Sequence, residues 1–283
     1  MSSKDKTIEK LINFGQTIEN IRAMLLTSSR ANVNAKVDFL SDYDVEVYVK
    51  NIKVVVDNDD WVKSLGRIVT RWPLQPKSTF NKNWITRLFL FSDGTRIDFQ
   101  ITGKMKERLE NIDYGFTVLV DKDNILYNLP KPSNSRFNIK KPSKEEYETL
   151  VNDFWWHATY VPKYLYRDEL PYAKSMMGQA VQDEFLRKII EWHIGLKNDW
   201  AVSTGTCGRY FKKFLEKGIW KQYASTYSGV HLKDNWDSFY MAVDLFCNLA
   251  KNIGKQLGYE YPKQIESDMR TFYKKIEKKS KKR

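Results

Sequence analysis

Cysteine is nearly missing from this 283-residue chain, with Cys207 and Cys247 its only two. Neither shows metal-ligand spacing, and the pair makes no disulfide framework, so a reducing compartment is the expected home. Histidine is scarce too, at three, and His157 and His193 stand in no triad or metal-binding spacing; both read as structural. No apolar run approaches the length that spans a bilayer, and Met1-Ser2-Ser3-Lys4-Asp5-Lys6 is not a signal peptide. These absences point to a soluble, cytoplasmic protein with no membrane partner. No internal repeat is present.

Acid is in deficit, with 35 Asp and Glu against 47 Lys and Arg, a net charge of +12. Half of that excess lies in the last ten residues, Lys274 to Arg283, where seven side chains are basic and only Glu277 is acidic. A short lysine-rich tail reads as a solvated end. The remaining charge suits a protein that grips a triphosphate and requires no polynucleotide. What the chain has in plenty is aromatics, with nine Trp and sixteen Tyr. They fit a core plus a cleft lined with flat rings.

Against this background one stretch organises the chain: Ser28-Ser29-Arg30, followed by Asp42-Tyr43-Asp44. Val45, Val47 and Val49 alternate with Glu46, Tyr48 and Lys50, a period of two that predicts a half-buried strand. Residues two apart on a strand share a face at roughly 6.6 Å, so Asp42 and Asp44 project side by side. Two acceptor-only carboxylates in that position repel unless a cation lies between them, and a hard divalent ion such as Mg²⁺ is the natural occupant. A third acid, Asp98, falls on a second alternating run. Trp84 to Phe91 is strand-like, Ser92-Asp93-Gly94-Thr95 is a turn, and Arg96 to Ile101 alternates again; Asp-Gly between such runs signals a hairpin. Asp98 then shares a face with Arg96 and Gln100, opposite Ile97, Phe99 and Ile101. Three carboxylates from two strands make a metal-dependent nucleotidyl-transfer site.

Around this centre, Thr7 to Gln16 is amphipathic and predicts a first helix, and Ile21 to Thr27 a first strand. Asn32 to Leu40 reads as an irregular connection. Ile52 to Asp57 reads as continuing or following the strand, Asp60 to Ile68 as a short helix, and Pro73, Pro76 and Lys77 as a loop. Lys104 to Asn111 reads as helical and Phe116 to Val120 as a short strand. Pro130, Pro132, Ser133, Asn134 and Pro142 cluster where a domain boundary is expected. Ser143 and Glu146 then form a capping box. From there the pattern is helical, clearest at Phe239, Val243, Phe246, Leu249, Ala250, Ile253 and Leu257.

The Ser-Ser-Arg turn, Ser41-Asp42-Tyr43-Asp44 and Asp98 resemble the nucleotidyltransferase pattern of the DNA polymerase beta superfamily. A narrower resemblance, to the aminoglycoside 6-adenylyltransferases (streptomycin adenylyltransferases), covers nearly the whole chain. It rests on Asp153-Phe154-Trp155-Trp156, Thr159-Tyr160-Val161, Arg167 to Lys174, Glu191-Trp192-His193-Ile194-Gly195, Ala224 to Gly229, Asp234-Asn235-Trp236 and Leu257 to Pro262.

The resemblance implies an α+β protein. Residues 1–135 would form a polymerase-beta-like nucleotidyltransferase domain with a mixed sheet, and residues 136–283 a helical substrate-binding domain with a basic tail, with a cleft between the two. It implies transfer of AMP from ATP to the 6-hydroxyl of streptomycin with release of pyrophosphate, in a monomer or weak homodimer. Asp42 and Asp44 would hold two Mg²⁺ ions, and Asp98 would be a third ligand or the general base. Ser28, Ser29, Arg30 and Lys163 would contact the nucleotide. Trp155, Trp156, Tyr160, Asp168 and Glu169 would hold the polycationic sugar, with Glu169 an alternative base. Where the family has glycine, this chain has Ser28, so either ATP binding is weakened or the turn uses an ordinary φ. Other acceptors, a protein or a nucleic acid, and a degenerate RNA-binding role are the competing readings. Retention of all three acids and the tryptophan-rich signature argue against them.

Overall fold

The computed structural model describes residues 5–32, 35–81, 83–103, 115–127, 129 and 134–281. The helix expected over Lys104 to Asn111 lies outside them. The chain divides into two compact units, Met1–Arg136 and Phe137–Arg283.

The first unit is built on a six-stranded sheet. Its strands are β1 (Ile21–Thr27), β2 (Tyr43–Val49), β3 (Ile68–Trp72), β4 (Trp84–Phe91), β5 (Arg96–Thr102) and β6 (Thr117–Asp121), in the order β3-β4-β5-β2-β1-β6. Neighbours are antiparallel except β2 and β5, which run parallel, so the sheet is mixed. Helix α1 (Lys6–Thr17) is started by Asp5, whose Oδ1 accepts the N–H groups of Thr7 and Ile8 at 3.0 and 3.3 Å, satisfying donors the helix cannot. It lies so close on the sheet that a Cβ at Gly15 would overlap Met24 Sδ. Leu11 and Phe14 join Val45, Val47, Ile97, Phe99 and Ile101 in the main core of this unit. On the other sheet face a smaller cluster gathers Ala23, Leu25, Tyr48 and Leu126.

The Asp93-Gly94 hairpin forms as expected. Gly94 takes φ +84° and Asp93 Oδ1 accepts the Thr95 N–H at 2.9 Å. Two expectations are corrected and one is narrowed. Strand β2 is not half-buried: the main core covers one face and the smaller cluster around Tyr48 the other, and Glu46 and Tyr48 are as buried as the valines. Lys53–Asp57 follows the strand as a short helix, α3, and does not continue it, because the Asn51 side chain accepts the Lys53 N–H at 3.1 Å and turns the chain. Ile68 opens edge strand β3, which is solvent-exposed and lacks the alternation that would reveal it.

The second unit is helical. After Ser143 and Glu146 close their capping box at 3.1 and 2.7 Å, α4 (Lys144–Ala158) is followed by α5 (Tyr160–Tyr166) and α6 (Leu170–Ser175). The helix continues through Met176–Leu186 with wide turns, Arg187 N–H donating to Gln182 O, into α7 (Arg187–Lys197). Short α8 (Phe211–Phe214) and α9 (Lys217–Ala224) precede the long α10 (Leu232–Leu257) and α11 (Lys263–Ser280). Phe239, Val243, Phe246, Leu249, Ala250 and Ile253 of α10 are all in this unit's core, and Gly258 at φ +74° stops the helix. The protein is thus α+β, a mixed sheet followed by a helical region. Among the described residues no helix is long and apolar enough to cross a membrane.

Candidate active site

The single parallel pairing in the sheet assembles the acidic centre. Parallel strands begin at the same end, and the register sets Asp44 opposite Asp98 and Glu46 opposite Gln100. On the other side of β2, Thr27 pairs with Asp44, so the turn that follows β1 emerges at the same strand end. The turn is the short helix α2 (Ser28–Ala31). Three segments far apart in sequence thereby bring Ser28, Asp42, Asp44 and Asp98 to one edge of one sheet face.

Ser28 settles how the turn tolerates a serine. Its φ is +57°, the left-handed region that glycine favours, so the turn keeps the conformation and does not revert to an ordinary φ. The Ser28 side chain hydrogen-bonds the Asp44 carboxylate. Burial pushes the Asp44 carboxyl up to about 6, and the charge of Asp98 adds to that rise, while the bond from Ser28 opposes it. Asp42 is also raised, first by burial, with Arg96 acting against it and Asp98 reinforcing it.

Arg96, which the sequence reading placed on the same face as Asp98 but gave no role, is the cation of the cluster. Its Nε and Nη2 fork the Asp98 carboxylate at 3.1 and 2.9 Å, and Nη1 lies 3.5 Å from Asp42 Oδ2. The i, i+2 spacing of Arg96 and Asp98 on an alternating run was the available signal. Glu46, the next residue on the Asp42–Asp44 face, was missed too; it is 3% exposed and accepts the Tyr48 hydroxyl at 3.3 Å. Among the described residues no three His, Cys, Asp or Glu side chains stand as a closed metal cluster. The donor chemistry nevertheless fits a hard cation: the carboxylates offer only oxygen, and Asp44 is held high partly by the charge of Asp98. Arg96 would have to turn aside.

Arg30, expected at the nucleotide, turns its side chain into the protein. Its donors are committed inside the protein, to Ser41 O at 2.8 Å, Asp42 O at 3.2 Å and Asp5 Oδ2 at 3.2 Å. Ser29 lies within α2, one residue on from the left-handed turn.

In the helical unit the expected sugar-binding residues separate into two groups. Trp155 is 2% exposed, edge-on to Phe154 with ring centroids 5.3 Å apart and stacked on Tyr273 at 6.4 Å; it is core and cannot line a sugar site. Trp156, the next residue, points the other way and is 65% exposed. Tyr160 is half-buried and stacks on Tyr164, which in turn lies 3.9 Å from Tyr172. Lys163 is exposed, with Nζ 5.7 and 5.3 Å from the Tyr160 and Tyr164 ring centroids. Asp168 and Glu169 follow, both exposed, in the break between α5 and α6. Asp168 takes φ +60°, and Glu169 N–H donates to Tyr164 O at 3.0 Å. Tyr164 and Tyr172 were not singled out from sequence; their spacing is that of ordinary helix packing. His157 is held by Asp153 O at 2.8 Å, and His193, buried and pushed down to about 4, is a neutral core residue.

The streptomycin adenylyltransferase family model matches residues 1–276. The chain is 30% identical over 271 residues to the aminoglycoside 6-adenylyltransferase of Campylobacter jejuni, covering 93% of this chain and 92% of the relative. It is 28% identical over 267 residues to that of Bacillus subtilis strain 168, with 93% and 94% covered. A solved aminoglycoside 6-adenyltransferase structure from Bacillus subtilis aligns at 23% identity with a TM-score of 0.46, over 98% of this chain and 99% of that one.

Proposed function

The chain belongs to the streptomycin adenylyltransferase family, and we propose that it transfers AMP from ATP to the 6-hydroxyl of streptomycin, releasing pyrophosphate. It is a nucleotidyltransferase. The observation that carries the reading is the register of β2 on β5, which sets Asp44 against Asp98 beside the Ser28 turn. The reaction forms a bond from the sugar oxygen to the α-phosphorus as the bond to the β-phosphate oxygen breaks. Its barrier falls when the two oxygens are held in line and the growing charge is neutralised.

Two Mg²⁺ ions held by Asp42, Asp44 and Asp98 would supply that neutralisation. The chain's own groups do the rest. The turn at Ser28 and Ser29 offers hydroxyls and backbone N–H groups to the triphosphate, and Lys163 adds a positive charge for the phosphates. Asp98, if not a ligand, accepts the proton of the sugar hydroxyl. Streptomycin carries two guanidinium groups, and a carboxylate matches a planar guanidinium through paired hydrogen bonds. Asp168 and Glu169 are exposed acids with that capacity, and Trp156 and Tyr160 provide rings to cover a sugar face. Glu169 is the alternative base. The partners are thus two small molecules, ATP and the aminoglycoside, met in the cytoplasm by a monomer or weak dimer.

Pyrophosphate release from ATP and Mg²⁺, measured against a panel of aminoglycosides, tests the reading. Release is expected with streptomycin, and the product mass should increase by one adenylyl group (AMP less water), which fragmentation should place on the 6-oxygen. No release above background with any aminoglycoside refutes it.

A further inference from the structure

We infer that Arg30, together with Asp5 and Tyr43, is a positioning assembly that fixes the backbone carrying Asp42 and Asp44. The inference rests on the reading of those acids as the reaction centre. Arg30 leaves the turn after β1 and reaches the chain just before β2. Its Nε donates to both Ser41 O and Asp42 O at 3.2 Å, and Nη2 donates to Ser41 O at 2.8 Å. The guanidinium carbon lies 3.8 Å from the centroid of the Tyr43 ring, so the plane is stacked as well as bonded. Nη1 pairs with Asp5 Oδ2 at 3.2 Å, and the Tyr43 hydroxyl lies 2.9 Å from each Asp5 oxygen. Asp5 is also the residue that starts α1. One cation therefore ties the start of α1, the turn after β1 and the first residues of β2.

The geometry requires arginine. Two carbonyls, a carboxylate and a ring are served at once by a planar fork of five N–H groups, which an ammonium point charge cannot reproduce. The Arg30 side chain is only 12% exposed, so its bonds are shielded from competing water. The carbonyls it grips belong to Asp42 and to the residue before it. The same segment is also braced within itself, where Asp38 Oδ1 accepts the Leu40 N–H at 2.9 Å and the Ser41 N–H donates to Asp38 O at 3.1 Å. Loosening the grip lets the Asp42 peptide rotate without removing any carboxylate.

The test compares full-length wild type with Arg30→Lys, Arg30→Met and Tyr43→Phe by peptide-resolved hydrogen exchange and by steady-state kinetics with ATP and streptomycin. Amides between Asp38 and Asp44 should exchange faster in both Arg30 variants. Their kcat should fall on the order of 10²-fold with the ATP KM held within about twofold, since misplacement by an ångström costs rate and not ground-state binding. Tyr43→Phe, which removes only the hydroxyl bond to Asp5, should move both readouts in the same direction by less, and it remains informative if Arg30→Met fails to fold. Unchanged exchange over Asp38 to Asp44 overturns the inference. So does an ATP KM that rises while kcat is kept, which would make Arg30 a phosphate contact. If wild type itself releases no pyrophosphate, the functional reading falls, and the exchange comparison alone decides the role of Arg30.

Discussion

Replacing Asp44 by asparagine should abolish turnover and, at the same time, make the folded protein more stable. Burial and the neighbouring charge of Asp98 raise the Asp44 carboxyl from 3.8 to about 6. A raised acid is one whose charged form the folded state tolerates poorly. At about 1.4 kcal/mol per tenfold change in proton affinity, the ionised side chain costs at most about 3 kcal/mol at neutral pH. Asp44 is half-buried, and solvent screens part of that cost, so the expected gain from asparagine is about 1–2 kcal/mol. Its carbonyl still accepts the bond from Ser28.

The sign fixes the pH dependence. The folded state keeps a proton that the unfolded chain loses, so wild-type stability declines as pH rises from 3.8 to about 6, and the full deficit is present above that. The advantage of Asp44→Asn should therefore vanish in acid, grow through this window and level off at neutral pH. Urea denaturation of both proteins across this range, with a chelator present so that no metal favours the wild type, measures it. A variant that is equally or less stable at neutral pH would refute the reasoning. It would mean that Arg96 already compensates the charge in full.

Ser28→Ala keeps the left-handed φ of +57° but loses the hydroxyl bond, whereas Ser28→Gly loses the bond and relieves the strain. In denaturant titrations alanine should be the less stable of the two by about 1 kcal/mol. Asp59→Asn should cost about 3–5 kcal/mol in the same assay, because it strands the fully buried guanidinium of Arg87, which donates to both Asp59 oxygens. Trp155→Ala should cost about 3–5 kcal/mol as a core truncation, while Trp156→Ala should change stability by less than about 0.5 kcal/mol and act on the streptomycin KM. Glu169→Gln should lower kcat/KM for streptomycin by about tenfold, roughly 1.4 kcal/mol, with the ATP KM unmoved; unchanged kinetics would leave Glu169 a surface acid.

The acidic centre was legible because its signals are local. Alternation over Tyr43 to Val49 and Arg96 to Ile101, and the Asp93-Gly94 turn, each specify a strand or a hairpin within a few residues. The parallel pairing of β2 with β5 is not local, and nothing in either strand announces its partner. The half-buried expectation for β2 failed for a similar reason, since its second face is covered by Ala23, Leu25 and Leu126, residues remote in sequence that pack with Tyr48. Edge strand β3 was hidden because only Ile68 packs against the core and the four residues after it are exposed, which leaves no alternation. Lys53–Asp57 read two ways because three consecutive valines favour strand, and the asparagine that caps the turn carries a weaker signal than they do. Trp155 and Trp156 could not be told apart by type; a helix sends consecutive residues in different directions, and only the packing decides which is core. The resemblance to the streptomycin adenylyltransferases was legible across the chain, and the family match agrees with it.

The acids do not position themselves. Asp44 and Asp98 repel, and their mutual effect raises Asp44, so their juxtaposition must be imposed. The imposing force is on the opposite face of the same strands. Ile97, Phe99 and Ile101 are each at most 2% exposed, as are Val45 and Val47, and burying such side chains is worth about 1.5–3 kcal/mol apiece. A slip of β5 by one residue would turn all three of its apolar groups out of the core and carry Asp98 into it, because side chains alternate with a period of two. That penalty far exceeds the electrostatic cost at Asp44. The hydrophobic alternation therefore fixes the register, the register fixes the acids, and Arg96 and Ser28 need only moderate a charge conflict that the core has already enforced.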